Sequence, residues 1–124
     1  MSQLVDSVKF GTLNVRGMST SRKQYQVRRI LEDNDLDIFA VQETKVESEE
    51  DTARLVQPFQ ATFDVCVSHA NGSSGGCLLF IRRSLNAHEY VITADSSGRL
   101  IVCDFVVSDK PWRVICVYCP NQVK

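Results

Sequence analysis

The spacing of apolar residues predicts two strands and two helices in the first half of the chain. An apolar run marks each strand, and in the first helix Val27, Ile30 and Leu31 fall on one face. Ser48 stands where a helix N-cap is expected, just before three acidic residues. The predicted elements are a strand over 8–15, a helix over 21–33, a strand over 36–42 and a helix over 48–56. Because a helix joins the two strands, they are expected to be parallel neighbours.

The second half of the chain has the pattern of consecutive short strands. From Phe59 onward, β-branched and apolar runs alternate with turn signals, among them the glycine-rich loop ANGSSGG. Hairpin turns are predicted at 95–98 and 109–111. The predicted strands lie in FQATFDVCVSH, CLLFIRR, EYVITAD, GRLIVCDFVV and WRVICVYCP. Together these segments predict one β-meander, and the whole chain is expected to be of the α/β class.

Polar side chains interrupt both strands of the first half at their carboxyl ends. Asn14 follows an apolar run in the first strand, and Gln42 and Glu43 close the second. The carboxyl ends of adjacent parallel strands meet at one edge, which is where open α/β sheets bind ligands. Asn14 and Glu43 are therefore expected to lie side by side.

Length and composition are those of one ordinary soluble domain. The chain has 124 residues, of which 44% are hydrophobic and 23% charged, enough for one core but not for two. A net charge of -1 provides no general basic field, so any nucleic-acid binding has to depend on a local patch or a metal ion. The first residues lack the pattern of a secretory signal. We expect an intracellular protein of the nucleus or cytoplasm, not a secreted one.

The five cysteines are expected to be mainly buried free thiols. Cys66, Cys77, Cys103 and Cys116 lie in apolar runs, and an odd number of cysteines cannot all pair within one chain. Cys116 and Cys119 have CxxC spacing, but strand alternation sends them to opposite faces and no second CxxC completes a zinc site. A structural role is favoured over a metal or redox role.

Four segments in this order carry a family resemblance: TLNVRGM, DIFAVQET, GSSGGCLLFIRRSL and VICVYCPN. With them the chain resembles the endonuclease/exonuclease/phosphatase superfamily, and most closely the endonuclease domains of LINE-type (non-LTR) retrotransposons. The resemblance covers essentially the whole chain but only the N-terminal half of the family domain. It implies half of a two-sheet α/β sandwich of the DNase-like fold, a mixed β-sheet with helices on one face. It also implies phosphodiester hydrolysis, usually of DNA, with Mg²⁺, or Mn²⁺ as an alternative.

The resemblance gives roles to the residues at the polar edge. Glu43 matches the family's metal-binding glutamate, and a carboxylate suits Mg²⁺ as a hard oxygen ligand; its alternative is a surface residue at the start of a loop. Asn14 matches an asparagine beside the metal, and its alternative is a strand-end side chain that bonds to its own turn. Gln42 is expected to pack beside the site.

Two further residues match substrate-contacting positions of the family, and Arg16, next but one to Asn14, is another candidate. Tyr118 and Asn121 belong to the family's Tyr-x-Pro-Asn element, where a phenol and an amide contact phosphate and substrate backbone. Arg16 is a candidate phosphate contact. Several cellular relatives have Asp where this chain has Arg16, so the arginine favours the retrotransposon branch. Asn14, Glu43, Tyr118 and Asn121 are the predicted catalytic residues, Asn14 and Glu43 the metal ligands, and Arg16 and Asn121 the substrate-binding residues.

Other candidates are expected to have mainly structural roles. The loop NGSSGG lacks the lysine and the strand-loop-helix setting of a P-loop, and a flexible connection is the favoured interpretation; the alternative is that Gly75 and Gly76 match the small residues that the family keeps near its catalytic floor. Neither His69 nor His88 falls at the family's catalytic histidine. Basic residues near Asn14 either add to a phosphate-facing patch or form the solvated face of the first helix; they are Arg22, Lys23, Arg28 and Arg29.

The family's Asp-x-Asn and Ser-Asp-His motifs do not occur in this sequence. Residues 1–124 are therefore expected to be one partial domain, truncated at its C-terminal side and weak or inactive alone. The missing part is expected to supply the second sheet, leaving an apolar face that promotes self-association.

Three functions stay open at this point. The first is a DNA-nicking endonuclease that binds the DNA phosphate backbone and is followed in a longer polypeptide by a reverse transcriptase region. The second is a phosphatase of the same family, acting on an inositol phosphate, sphingomyelin or a nucleotide. The third is a non-catalytic binding remnant. No membrane partner and no small-molecule cofactor are expected.

Overall fold

The fold consists of two packed β-sheets with helices on one side. This computed structural model describes residues 7–72 and 74–119. Its elements are β1 (Phe10–Asn14), α1 (Ser21–Asp33), β2 (Ile38–Gln42), α2 (Glu49–Val56), β3 (Phe63–Ser68), β4 (Cys77–Arg82), β5 (His88–Ala94), β6 (Leu100–Val107) and β7 (Lys110–Val117). Short 3₁₀ helices follow α2 and β4, at Gln57–Phe59 and Arg83–Leu85. Within the described ranges, no helix has the length and apolar character to cross a membrane.

Side-chain caps fix the starts of both helices. The Thr20 hydroxyl accepts a hydrogen bond from the Lys23 backbone N–H at 3.2 Å and begins α1. The Ser48 hydroxyl accepts from the Asp51 N–H at 3.2 Å and begins α2. Such caps satisfy backbone donors that have no partner inside the helix. The predicted bounds of α1 and the predicted cap of α2 are confirmed.

The first sheet has the strand order β1-β2-β4-β3. β1 and β2 are parallel, with Phe10 opposite Ile38 and Asn14 opposite Gln42. β4 runs antiparallel to both β2 and β3. The predicted pairing of the first two strands through a helical crossover is therefore confirmed, and their carboxyl ends lie together.

The prediction of one continuous meander is wrong, because its strands are divided between two sheets. β3 and β4 form a hairpin in the first sheet, whereas β5, β6 and β7 form a separate antiparallel sheet. The 3₁₀ turn Arg83–Leu85 ends β4, and Asn86 follows it in the left-handed region at φ 57°, which redirects the chain to the second sheet.

The second predicted hairpin turn is also misplaced by one residue. The turn between β6 and β7 lies at Ser108 and Asp109, with φ values of 50° and 64°. Positive φ at both central residues suits the twist of a tight hairpin. Lys110 and Pro111 therefore belong to β7, where Pro111 is tolerated because β7 is an edge strand of the described sheet.

Both faces of β2, β3 and β4 in the first sheet are covered by this chain, whereas Phe10 and Thr12 on the inter-sheet side of β1 are exposed. Helix residues such as Val27, Leu31 and Leu55 pack on one face around Phe80, whose ring contacts those of Phe39, Phe59 and Phe63. The inter-sheet core lies on the other face, between the two sheets. Its buried residues include Ile38, Ala40, Leu79, Ile101, Phe105 and Cys116.

The expectation that the second sheet is missing is wrong, since β5–β7 supply three of its strands, although Phe10 on the inter-sheet side of β1 stays 52% exposed. Apolar residues are also exposed on the outer side of the second sheet. Val91, Ile115 and Val117 are 63%, 54% and 47% exposed there, and by register they lie on the side opposite the inter-sheet core. Exposed apolar residues on a sheet favour association with another surface.

The cysteines are free thiols, as predicted, and only Cys119 is exposed. Four of them pair across the sheet interface, Cys66 with Cys103 and Cys77 with Cys116. The hydrogen bonds that Cys66 and Cys77 donate to their partners, together with burial, raise the pKa of both donors. The same bonds lower the pKa of Cys103 and of Cys116. All four thiols are buried in the inter-sheet core, which agrees with a structural role.

Candidate functional site

The polar edge predicted from the sequence is formed at the carboxyl ends of β1 and β2. Asn14 lies opposite Gln42 in the parallel pair, and Glu43 follows directly. Backbone bonds continue past the strands, with the Val15 N–H donating to the Gln42 carbonyl at 2.9 Å and the Gly17 N–H to the Glu43 carbonyl at 2.7 Å. The structure thus brings Asn14 and Glu43 to one edge of the sheet.

The backbone at this edge is strained. Arg16, Glu43 and Lys45 have φ values of 54°, 62° and 58°, in the left-handed region that residues with a Cβ rarely adopt. Such residues cost free energy and persist only where their surroundings fix them; they cluster at functional sites. Two backbone hydrogen bonds fix the chain next to Glu43. The N–H groups of Thr44 and Lys45 donate to the carbonyls of Gly76 and Gly75 at 3.1 and 2.8 Å.

The glycine-rich loop acts as a close-packed support beneath this edge. Gly76 has φ 94°, and a Cβ there would overlap the Thr44 hydroxyl. The Gly76 N–H donates to the Gly98 carbonyl at 2.7 Å, which links the first sheet to the turn between β5 and β6. The favoured interpretation of a flexible connection is wrong for Gly75 and Gly76, because both are buried and hydrogen-bonded.

The Glu43 carboxylate lies at the edge, and within the described residues no group makes a short hydrogen bond to it. Its side chain is 20% exposed, and its Oε1 lies 3.9 Å from the Lys45 ammonium. Asn14 Oδ1 accepts from the Arg16 N–H at 3.2 Å, which is the local turn bond weighed above as the alternative. That bond holds the Asn14 amide at the strand end and leaves its remaining donors and acceptors for other partners.

Glu43 and Asn14 fit a magnesium ion in chemistry and in number. In residues 7–72 and 74–119, no group of three or more His, Cys, Asp and Glu side chains is arranged to hold a metal. Mg²⁺ commonly uses only one or two protein carboxylates and completes its octahedron with water and substrate phosphate. One carboxylate and one amide oxygen at a strand end meet that need.

Gln42 packs beside the site, as predicted. Its amide Nε2 donates to Thr12 Oγ1 at 2.9 Å and to Cys116 Sγ at 3.6 Å. These contacts join β1, β2 and β7 just below Glu43. The bond from Gln42 also helps to lower the pKa of Cys116, after the larger effect of the Cys77 thiol.

Tyr118 lies just beyond the end of β7, at the same end of the molecule. Its N–H donates to the Arg99 carbonyl at 2.8 Å, and its half-buried side chain packs against the inter-sheet core. Cys116, two residues earlier, contacts Gln42. Tyr118 is thus placed near the edge, while Asn121 lies outside the described residues.

The predicted basic patch is divided between the edge and solvent. Arg16 is exposed at the end of β1, and Lys23 reaches back to donate to the Val15 carbonyl at 3.0 Å. Arg29 pairs with Asp33 at 3.2 Å on the solvated face of α1; Arg22 and Arg28 are exposed on the same helix.

Both histidines have local partners. His69 Nδ1 lies 3.2 Å from Thr52 Oγ1, and His88 Nδ1 lies 3.2 Å from the Asn86 carbonyl. His88 is exposed and His69 is half-buried. These contacts agree with the structural or surface roles expected for both residues.

Sequence reasoning missed Lys45, which carries a positive charge next to Glu43. The signal was present in the order Glu-Thr-Lys. Thr44 is only 3% exposed, so the alternation of the chain turns the residues on either side of it outward together. Lys45 can balance the Glu43 carboxylate or contact a phosphate that approaches it.

The sequence matches the model of one protein family. The model, described as Endonuclease/Exonuclease/phosphatase family, matches residues 11–119. Among curated proteins, none matches the sequence.

Solved structures share the fold. An AP endonuclease, LMAP, from Leishmania major superposes with a TM-score of 0.73 at 16% identity, over 94% of this chain and 41% of that one. The 3′ phosphatase NExo from Neisseria, bound to a product DNA hairpin, gives 0.64 at 24% identity, over 91% and 42%. TDP2 from Caenorhabditis elegans gives 0.66 at 13% identity, over 93% and 36%. The chain therefore spans less than half the length of each of these structures.

Proposed function

Because the chain belongs to the Endonuclease/Exonuclease/phosphatase family, we propose that it supplies the metal- and phosphate-binding edge of a phosphodiester hydrolase that acts on DNA. The observation that carries this proposal is the meeting of Asn14 and Glu43 at the ends of two parallel strands. The strained backbone at Glu43 supports it, because strain is kept where a side chain has to be held in one position.

Glu43 is the proposed direct ligand of a divalent metal, with Asn14 as a second oxygen donor. Mg²⁺ is the proposed ion, with Mn²⁺ as an alternative, since both prefer oxygen ligands. When bound, the ion would polarise the phosphate and stabilise the charge that develops in the transition state. Gln42 and the Gly76 loop hold Glu43 in place for this role.

DNA is the proposed substrate on the basis of the edge and of two similar structures. Arg16 and Lys45 flank the Asn14–Glu43 pair, and both suit contacts with phosphate oxygens. Tyr118 and Asn121 are proposed to add further substrate contacts. The similar structures include one named as an AP endonuclease and one bound to a DNA hairpin.

We propose further that the protein is a nicking endonuclease of the retrotransposon type, working inside the cell with a reverse transcriptase region of a longer polypeptide. The segment Asn14-Val-Arg-Gly17 supports this branch. Alone, residues 1–124 are expected to nick DNA weakly, because the Asp-x-Asn and Ser-Asp-His motifs do not occur in them.

The proposal is tested first by metal binding, which does not require turnover. Titration of the ¹⁵N-labelled chain with Mg²⁺ is expected to shift the amide resonances of Asn14 and Glu43. Glu43→Gln removes the anionic ligand and is expected to weaken binding by at least about tenfold. Glu50→Gln is the matched control, because Glu50 is an exposed glutamate on α2 that pairs with Arg54.

Equal Mg²⁺ binding by the parent chain and Glu43→Gln would contradict the metal site. Plasmid nicking, phosphate release from nucleotide and inositol phosphate substrates, and phosphocholine release from sphingomyelin then separate the candidate functions. Glu43-dependent release from a small substrate, with no nicking, would replace the DNA proposal by the phosphatase one.

A further inference from the structure

A cleft of about 670 Å³ opens between the first turns of the two helices. Ser19 and Gln24 line it from the α1 side, and Asp51 and Arg54 line it from α2. Val46 and Leu55 lie at the base of the cleft, where they belong to the helix-side core and are only 7% and 4% exposed. The volume falls in the range of about 300–1,000 Å³ that small-molecule sites occupy.

The charged side chains in the cleft all have partners, within the lining or next to it. Arg54 lies 3.6 Å from Asp51 and 3.2 Å from Glu50. A Glu47 carboxylate oxygen accepts from the Gly72 N–H at 2.7 Å. The two basic residues of the lining, Lys45 and Arg54, are matched by the two acidic ones, so the cleft has no net positive charge to hold a phosphate.

Neutral polar groups provide the hydrogen-bonding capacity of the cleft. Gln24 Nε2 donates to the Met18 carbonyl at 3.2 Å, which fixes the amide and leaves its oxygen as an acceptor. The hydroxyls of Ser19 and Ser21 are on the same wall. A mixture of fixed amide, hydroxyls and apolar surface suits an uncharged, planar, polar group.

Lys45 connects this cleft to the proposed site. It lines the cleft, and its ammonium lies 3.9 Å from Glu43 Oε1. The mouth of the cleft is therefore one side chain away from the carboxylate. A phosphate held at Glu43 would place the nucleoside attached to it at this mouth.

We propose that the cleft binds the uncharged nucleoside portion of a DNA strand next to the phosphate held at the edge. This inference rests on the proposed function, since it takes the phosphate to lie at Glu43. Gln24 and the two serines read the polar edge of the base, which lies over the nearly buried Val46 and Leu55. The cleft thereby gives the chain a base preference at one position of its substrate.

The test uses the ¹⁵N-labelled chain with thymidine, which has no phosphate, as the probe. Thymidine is expected to shift the amide resonances of Gln24 and Asp51. Ser19→Trp fills the cleft and is expected to raise the Kd for thymidine by at least about tenfold. Ser84→Trp is the matched control, since Ser84 is exposed and lies after β4, at the other end of the first sheet; its Kd is expected to stay within about twofold.

Gln24→Leu keeps the size of the side chain and removes its amide, and is expected to weaken thymidine binding several-fold. Circular dichroism verifies that each variant is folded. Two results would overturn the inference: no thymidine shifts in the cleft at millimolar concentration, or equal shifts there with inorganic phosphate. Mg²⁺ titration of the same sample measures the amide shift of Glu43 separately. Absence of the thymidine shifts together with an intact Mg²⁺ shift would reject nucleoside binding in the cleft and retain the proposed function.

Discussion

The two ends of the first sheet use charged side chains in opposite ways. At the end opposite the site, Arg82 donates twice to the Leu36 carbonyl at 3.1 and 2.8 Å and lies 3.7 Å from Asp37. Its guanidinium also covers the Phe63 ring at 4.8 Å. At the site end, the charged contact of Glu43 is with Lys45 at 3.9 Å.

Burial does not separate these two ends. The side chains of Arg82 and Asp37 are 19% and 20% exposed, and that of Glu43 is 20% exposed. The difference is in pairing. The hydrogen-bonding groups of Arg82 have partners within the fold, whereas most of the hydrogen-bonding capacity of the Glu43 carboxylate is unused. Partly buried charges with unused capacity are candidates for ligand binding, whereas fully paired ones contribute to stability.

The largest expected effect comes from the support beneath the site. Gly76→Ala is expected to lower the free energy of unfolding by about 3 kcal/mol or more, because φ 94° is strained for alanine and its Cβ would overlap Thr44. Gly72→Ala is the control, with φ 65° but nothing within 4 Å of the added Cβ, and is expected to cost about 1 kcal/mol. Urea denaturation measures both. Equal costs would show that the contact with Thr44 contributes nothing.

An intermediate effect is expected from removing the charged group at each end of the first sheet in turn. Arg82→Met is expected to lower stability by about 2 kcal/mol, because it removes charge-assisted hydrogen bonds to a carbonyl, and to leave Mg²⁺ binding unchanged. Glu43→Gln is expected to change stability by less than about 0.5 kcal/mol while it weakens Mg²⁺ binding. Denaturation together with Mg²⁺ titration distinguishes them. A large loss of stability in Glu43→Gln would make Glu43 a structural residue.

The smallest effect is a pH dependence at the site end of the second sheet. The Ser97 hydroxyl and the N–H groups of Arg99 and Leu100 donate to Asp95, and these bonds lower its pKa from 3.8 to about 2. Because the pKa is lower in the folded state, Asp95 contributes stability above pH 3.8, and that contribution is lost as the pH falls towards 2.

Asp95→Asn is therefore expected to be less stable than the parent chain at pH 6 and to show a smaller loss of stability between pH 4 and pH 2. Denaturation at several pH values measures this difference. Parallel pH profiles of the two proteins would exclude Asp95 as a source of acid sensitivity.

The helices and the parallel strand pair could be predicted because their signals are local. Thr20 and Ser48 cap the helices through side chains that each accept from an N–H group three residues further on, and the crossover rule places β1 beside β2. The division of the later strands between two sheets depends on Asn86 in a left-handed conformation. Asparagine adopts that conformation only in suitable surroundings, so sequence alone does not reveal it.

The candidate site was predictable to a similar degree. Apolar runs that end in Asn14 and Glu43 indicated a shared edge, and the register confirms that they meet there. Three other features depend on rare φ values or on chain segments distant from each other. They are the turn bond of Asn14, the position of Lys45 and the close approach of Gly76 to Thr44. The metal and substrate roles of these residues stay predictions.

The contact between β7 and β2 can form only late in protein synthesis, because the two strands are far apart in the chain. Cys116 Sγ donates to the Val41 carbonyl, 75 residues earlier in the chain. At about 5–20 residues per second, a ribosome needs roughly 4–15 s to add that interval. During this time the inner face of β2, with Ile38 and Ala40, lacks the complete second sheet that covers it in the finished fold, so these apolar side chains stay accessible until β7 has been synthesised.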